Sequence, residues 1–561
     1  MKEFNNNTKT LITIALCVLA IIFAFIYFTQ DVGKTQDTIN TEQSMKQLDK
    51  LYSKLNVKTL TPQKDTEYVN NENNSVLPDI SEYPFVVNPT TDEFLTIYSS
   101  PEKAGTGYES WLVDVANKFN ASKVTVDGKQ ISVGIRSISS GLATDFIAAK
   151  KYTPDVFAPS NELWGKLLEE KGIKTTLVEK RIAGNVAGVV LSKTKNDELT
   201  KKYNTVNSQT IINGVINNEI NIAYTDPYAS STGLNFLLTA LYSFDGSNPV
   251  SDNAVAEFKK FQANIPFTAY NTLQMKEAAQ SGSLDGFLLE YQTFQNSPDL
   301  QSNYVFIPFG ARHDQPIYEI GNLTELKKNI TSKFIEYCKT EESQNLAKEK
   351  GFNGLEDYKA EHEFSDGKII VKAQDTWKTE KTGSGGLTAV FVADISGSME
   401  GSPLLKLKAS LNQATNFIGS DADVGFVTFS DRVNIALPIA KFDSTQKSYF
   451  SNAVKNLRAS GGTAMFDAIV VAEKMLMEAQ EKNPDTKLML FVLTDGETNR
   501  GYNFKDIEGI TSGLKIPIYT IGYNADIDVL KQISNINEAA TMNAENDNII
   551  YRLESLFNSQ M

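Results

Sequence analysis

The sequence predicts an α/β protein built on mostly parallel sheets and preceded by one N-terminal membrane helix. Three observations predict it. From about residue 81 onward, short apolar or β-branched runs alternate with amphipathic stretches, the pattern of strands that need helices on their faces. From Thr10 to Gln30 no residue is charged and most are apolar, enough to cross a hydrocarbon core of ~30 Å as a helix. The chain has 561 residues, 41% hydrophobic and 22% charged. That is ordinary globular composition, and too long for one core, since cores stop growing near ~250–300 residues.

Composition also excludes whole classes. A net charge of −14 argues against binding nucleic acid through a basic surface. With two Cys (Cys17, Cys338) and two His (His313, His362), neither a disulfide scaffold nor a Cys- or His-rich zinc site is available. Any metal chemistry must use Asp, Glu, Ser, Thr and backbone oxygens.

Residues 1–30 read as a cytoplasmic N-terminus and transmembrane anchor. Lys2 and Lys9 precede the apolar run and Asp31 follows it, which places the bulk of the chain outside the cell. A cleaved signal peptide is the other reading. Its apolar core is normally shorter, and Phe25-Ile26-Tyr27-Phe28 makes a poor cleavage site. Cys17 sits within the apolar run as a plain membrane residue. Residues 31–80 are polar and poor in aromatics and read as a flexible stalk. Within it, Met45, Leu48, Leu51, Tyr52 and Leu55 have the spacing of a short helix.

Residues 81–352 alternate strand and helix. Phe94–Tyr98, Ile131–Ile135 and Asp155–Ala158 read as strands, each followed by Ser residues and then a helix. Gly184–Leu191 reads as an extended crossing segment. Ile222–Thr225, Gly286–Tyr291 and Tyr304–Pro308 are further strands, and Ser332–Lys350 closes the unit as helix. In such sheets ligands bind beyond the carboxyl ends of the strands. This stretch, with Tyr224-Thr225-Asp226-Pro227 and Ser231-Thr232-Gly233, resembles the two-lobed extracellular solute-binding proteins with two crossing segments, nearest the group that holds small oxyanions. The resemblance implies a type II periplasmic-binding fold and a small anionic solute. Ser99, Ser100, Ser139, Ser140, Ser160, Ser231 and Thr232 are the candidate contacts, since hydroxyls and helix N-terminal N–H groups hold anions. The alternative role for each is a helix N-cap.

Residues 353–386 form a charged connector ending in Gly383-Ser384-Gly385-Gly386. Residues 387–561 then repeat the α/β pattern. A buried strand, Leu387–Ala393, ends in Asp394-Ile395-Ser396-Gly397-Ser398. A strand pair, Asp423–Phe429 and Val433–Pro438, is followed by Gly461-Gly462-Thr463 at the start of a long helix. The apolar strand Leu488–Leu493 ends in Thr494-Asp495, Ile516–Ile521 is a further strand, and Ile549–Phe557 is a final helix. This region resembles the von Willebrand factor type A domain, a doubly wound Rossmann-like fold with a metal-ion-dependent adhesion site. The resemblance implies that Asp394, Ser396, Ser398, Thr463 and Asp495 hold Mg²⁺ (or Mn²⁺ or Ca²⁺). The residue chemistry agrees: a hard cation wants oxygen ligands, and all three segments end strands or open helices at one sheet edge. In the family the cation recruits an acidic side chain of a protein partner.

No Walker-type loop, dinucleotide fingerprint or Gly-x-Ser-x-Gly elbow is present, and two His leave little for a nucleophile–base pair. His313, in Ala311-Arg312-His313-Asp314, reads as part of a surface turn. The expectation is a non-enzymatic, membrane-anchored bacterial surface protein with a metal-dependent protein-binding module. The alternative is a solute receptor for transport or sensing whose last domain docks on partner proteins. A third reading, service to a chaperone-like ATPase complex, sits poorly with an external location.

Overall fold

A computed structural model describes residues 41–65, 77–266, 268–269, 275, 284–362, 366–381, 385–414, 418–496, 498–523, 527–534 and 541–543. The expected membrane helix, the glycine-rich end of the connector at 382–384 and the expected final helix at 549–557 lie outside these residues. Among the described residues, no helix is long and apolar enough to cross a membrane.

The chain opens with a helix, Thr41–Tyr52, and a two-residue strand, β1 (Lys58–Thr59). The stalk expectation fails here, because both pack onto the C-terminal domain. Leu48 is fully buried in that domain's core, flanked by Met45, Leu51, Tyr52 and Leu55. These positions line one helical face, and burying Leu48 is worth about 1.5–3 kcal/mol. Tyr502 donates to the Leu51 carbonyl at 3.1 Å, and Thr41 donates to that of Gly513 at 3.0 Å. Further on, Ser451 donates to the Asp65 carboxylate at 2.8 Å. The short helix read from the sequence is present, but as part of a core.

The first lobe carries β2 (Phe85–Val87), β3 (Glu93–Ser99), β4 (Thr125–Val126), β5 (Lys129–Ser137), β6 (Val156–Ala158) and β7 (Thr175–Glu179). The chain then crosses to a second lobe with β8 (Val186–Ser192), β9 (Ile222–Thr225), β10 (Thr268–Ala269), β11 (Gly286–Glu290) and β12 (Tyr304–Arg312). It crosses back to β13 (Ile317–Ile320), which joins the first sheet. The strand orders are β2-β5-β3-β6-β13-β7, with β4 on β5, and β10-β9-β11-β8-β12. Two crossings between two sheets are what the sequence led us to expect.

The connector is also more ordered than its composition suggests. Its helix, Gly367–Glu380, is capped by Asp366, whose carboxylate accepts from the Lys368 amide at 2.9 Å. Ile370, Ala373 and Trp377 are buried. The Trp377 indole donates to the Tyr224 hydroxyl at 2.7 Å, and Gln374 donates to the Pro227 carbonyl at 3.0 Å, both in the second lobe. At the other end a Cβ on Gly367 would lie 2.6 Å from the Lys166 carbonyl oxygen of the first lobe, so only glycine permits that approach. The helix straps the two lobes together.

The C-terminal sheet adds β14 (Leu387–Asp394), β15 (Asp423–Phe429), β16 (Val433–Lys441), β17 (Lys487–Thr494), β18 (Ile518–Gly522) and β19 (Thr541–Asn543). Its order is β1-β16-β15-β14-β17-β18-β19, all parallel except β16 against β15. Helices cover both faces, so β14 is buried along its whole length, which explains its unbroken apolar run. The chain leaves β14 towards β15 on one side and returns to β17 on the other. That reversal opens a crevice at the carboxyl ends of β14 and β17.

The two units meet at Lys487, the first residue of β17. Its buried ammonium donates to the carbonyls of Gln262 (2.8 Å) and Lys381 (3.0 Å), while Gln262 donates from its side chain to the Lys381 carbonyl at 3.2 Å. Burial holds Lys487 down to about 7.

Candidate functional site

The crevice of the C-terminal sheet gathers the five residues singled out for a cation. Asp394 ends β14 and is fully buried. One of its oxygens accepts from the Ser396 amide at 2.8 Å and the other from the Thr494 hydroxyl at 2.6 Å, which fixes the carboxylate. The Ser396 and Ser398 hydroxyls lie 3.0 Å apart, with Ser396 buried and Ser398 exposed, so the cluster opens to solvent at Ser398. Gly397 donates to the Gly461 carbonyl at 2.9 Å and Ser460 to that of Ile395 at 2.8 Å, which brings the Thr463 loop beside the Ser396–Ser398 loop. Asn499 and Arg500 amides donate to the Thr463 carbonyl at 3.1 and 3.2 Å, and the Thr463 amide donates to the Asn499 side chain at 2.9 Å. These bonds tie the loop after Asp495 to Thr463.

Sequence reasoning missed the residues that hold this arrangement. Thr494 orients Asp394, Asn499 pins Thr463, and Asp431 accepts from the Gly462 amide at 2.8 Å. Gly461 is required: its φ is +82°, and a Cβ there would lie 2.4 Å from Asp431 Oδ2. Thr494 precedes a motif position directly, a signal that was available; Asp431 had none.

The electrostatics are those of a site short of positive charge. Burial pushes the Asp394 carboxyl up to about 6; hydrogen bonds from Thr494 and Ser396 oppose this, and the nearby Asp495 carboxylate adds to it. Asp495 Oδ1 is buried without a hydrogen-bond partner, and so is Thr498 Oγ1 in the same loop. A buried, unpartnered carboxylate oxygen beside a second carboxylate and a pair of hydroxyls is a donor set that fits a hard divalent cation. Among the described residues no group of three or more His, Cys, Asp or Glu is placed to hold a metal, so any such site draws on hydroxyls.

The cleft between the lobes departs from expectation. Ser99, Ser100, Ser140, Ser160, Ser231 and Thr232 are all buried in or beside it. Ser139 instead caps the helix Ser140–Ala148, accepting from the Leu142 amide. Ser100 donates to Glu102 at 2.6 Å, and Ser160 donates to the same Glu102 oxygen. Thr232 donates to Glu290 at 2.8 Å. Glu290 also accepts from Asn185 (2.9 Å) and from His313 Nδ1 (2.7 Å). His313 is therefore no surface turn: it is fully buried, because the chain passes between lobes there. Lys103, also fully buried, donates to Ser100 Oγ at 2.5 Å and to the Pro159 carbonyl at 3.3 Å. Burial holds it down to about 8, against the pull of Glu102 and Glu290. Direct bonds join the lobes: Trp164 to Ser231 (2.7 Å), Ser231 to Ser140 (3.2 Å) and the Gly141 amide to the Ala229 carbonyl (3.3 Å).

Comparison with known proteins assigns both units. Residues 103–353 match the family of bacterial extracellular solute-binding proteins, and residues 389–558 match the von Willebrand factor type A domain. The chain is thus a two-module protein, a two-lobed solute-binding-type unit followed by an A domain. The A domain region is 28% identical over 152 residues to an uncharacterized protein of Synechocystis sp., covering 26% of this chain and 35% of that one. It is 27% identical over 176 residues to inter-alpha-trypsin inhibitor heavy chain H3 of Bos taurus, covering 30% and 19%. The chain therefore spans about a third or less of these curated relatives. Among solved structures, a periplasmic thiamin binding protein aligns with a TM-score of 0.39 at 12% identity, covering 53% of this chain and 99% of that one.

Proposed function

We propose that this is a membrane-anchored extracellular protein that binds a protein partner through a divalent cation held by its A domain, and that it catalyses no reaction. Presence of the A domain supports a binding role, and such domains commonly bind a divalent metal. The observation that carries the finer reading is the buried, unpartnered Asp495 Oδ1 beside Asp394 and the Ser396–Ser398 pair. Asp394, Ser396, Ser398, Thr463 and Asp495 would hold Mg²⁺, directly or through water. When bound, the cation supplies an electrophilic position for a partner's carboxylate. The chain's own contribution is to orient the oxygens: Thr494 locks Asp394, and Asn499 locks the Thr463 loop. Anchoring through Thr10–Gln30 is part of the proposal and rests on the sequence.

Thermal unfolding with and without Mg²⁺ or Mn²⁺ tests the metal. Wild type should be stabilised, Asp495→Asn should lose the shift, and Ser398→Ala, at an exposed position, should weaken apparent affinity at least about tenfold. Equal shifts in all three proteins, or none in wild type, would end the reading. For the membrane, external protease on intact cells should degrade the A domain and spare only the first residues. A protected A domain would reverse the topology.

A further inference from the structure

In the cleft between the lobes the hydroxyls that would cradle an oxyanion are already engaged by the chain itself. Ser100 and Ser160 both donate to Glu102, Thr232 donates to Glu290, and Ser231 donates to Ser140. We propose that Glu102 and Glu290 are the resident anions of this cleft: tethered carboxylates that occupy the hydroxyls of Ser100 and Ser160 in one lobe and of Thr232 in the other, and make the cleft reject free oxyanions.

Charge supports the assignment. His313 Nε2 faces two amide nitrogens, Asn161 at 3.0 Å and Asn235 at 3.1 Å. Both amides are oriented by backbone: Asn161 Oδ1 accepts from the Leu163 amide and Asn235 Oδ1 from the Ala311 amide. Nε2 must therefore accept, so His313 is neutral and donates its Nδ1 proton to Glu290. Lys103 is then the one cation among these groups, against two carboxylates. Its ammonium lies 3.9 Å from Glu102 and donates to Ser100. A sulfate or molybdate would enter a cluster already net negative. It would also have to displace carboxylates tethered to the chain, which compete for the hydroxyls intramolecularly. Glu102 is the exchangeable member, with 14% of its side chain exposed, whereas Glu290 is buried under three donors.

Calorimetric titration of the full chain with sulfate and with molybdate, at constant ionic strength, tests this. Wild type should give no saturable heat up to about 10 mM, well above a millimolar dissociation constant. Glu102→Ala frees two hydroxyls beside Lys103 and should bind with a dissociation constant of about 1 mM or tighter. Near-ultraviolet circular dichroism from the three tryptophans, all buried, reports whether the variant keeps its fold. Glu102→Gln, which keeps an acceptor oxygen and removes the charge, should bind more weakly than Glu102→Ala. Saturable oxyanion binding by wild type, or no gain in folded Glu102→Ala and Glu102→Gln alike, would overturn the proposal.

Discussion

Two carboxylates in the A domain are taken out of water, and they answer differently. Asp394 keeps its charge useful by accepting two hydrogen bonds beside an unpartnered oxygen of Asp495. Glu473 sits fully buried in the helix Met465–Lys482, where burial pushes its carboxyl up to about 8, with Thr511 opposing. Its folded pKa is raised above the unfolded value of 4.5, so the native state holds this proton more tightly. Stability from this group is therefore greatest below pH 4.5 and falls as pH rises towards 8. The slope is at most about 1.4 kcal/mol per pH unit. Glu473→Gln should remove that slope and stabilise the protein above pH 8 by a few kcal/mol. Chemical denaturation of both proteins from pH 5 to 9 measures it, and parallel curves would refute it. At this scale the cluster of Asp394, Ser396, Ser398, Thr463 and Asp495 was legible through its resemblance to the A-domain site, with Asp394-Ile395-Ser396-Gly397-Ser398 directly after an apolar strand. Glu102, Glu290 and His313 were not. Their meaning depends on which lobe faces them, and charged neighbours made His313 look like surface.

The strands read most directly are those buried on both faces. β14 and β17 are covered on both faces, so their sequences are continuous apolar runs that need no partner to be recognised. The helix Thr41–Tyr52 has only one apolar face and a polar remainder, which by composition belongs with a solvated spacer. Its partners, the helices Met465–Lys482 and Phe504–Leu514, lie more than 400 residues away, and no local signal links them. The connector helix Gly367–Glu380 was lost in the same way, its buried Trp377 outweighed by charged neighbours. If the N-terminal helix belongs to the A domain core, Leu48→Ala should cost about 2–5 kcal/mol in the A domain transition. The lobes should melt as before. A loss under about 0.5 kcal/mol would restore the stalk.

At the scale of the whole molecule, a segment that precedes the solute-binding unit completes the A domain, because β1 (Lys58–Thr59) adds an edge strand to the sheet built from residue 387 onward. The two units share Lys487, whose ammonium bridges carbonyls of the second lobe and the connector at the start of β17. The opposite end of β17 carries Thr494, which holds Asp394. Lys487 has its folded pKa lowered to about 7 from 10.5, so the unfolded chain binds that proton more tightly and stability rises with pH between those values. Lys487→Met should flatten that rise and speed hydrogen exchange around Gln262 and Lys381. Unchanged exchange at both places would remove the junction from the account.

The edge strand at Thr59 sets a timetable. Its partner β16 begins at Val433, about 370 residues later, and at ~5–20 residues per second the ribosome needs roughly 20 to 75 s to reach it. Both lobes are synthesised in full within that interval. The sheet of the A domain therefore cannot be completed before everything between Thr59 and Val433 has been made.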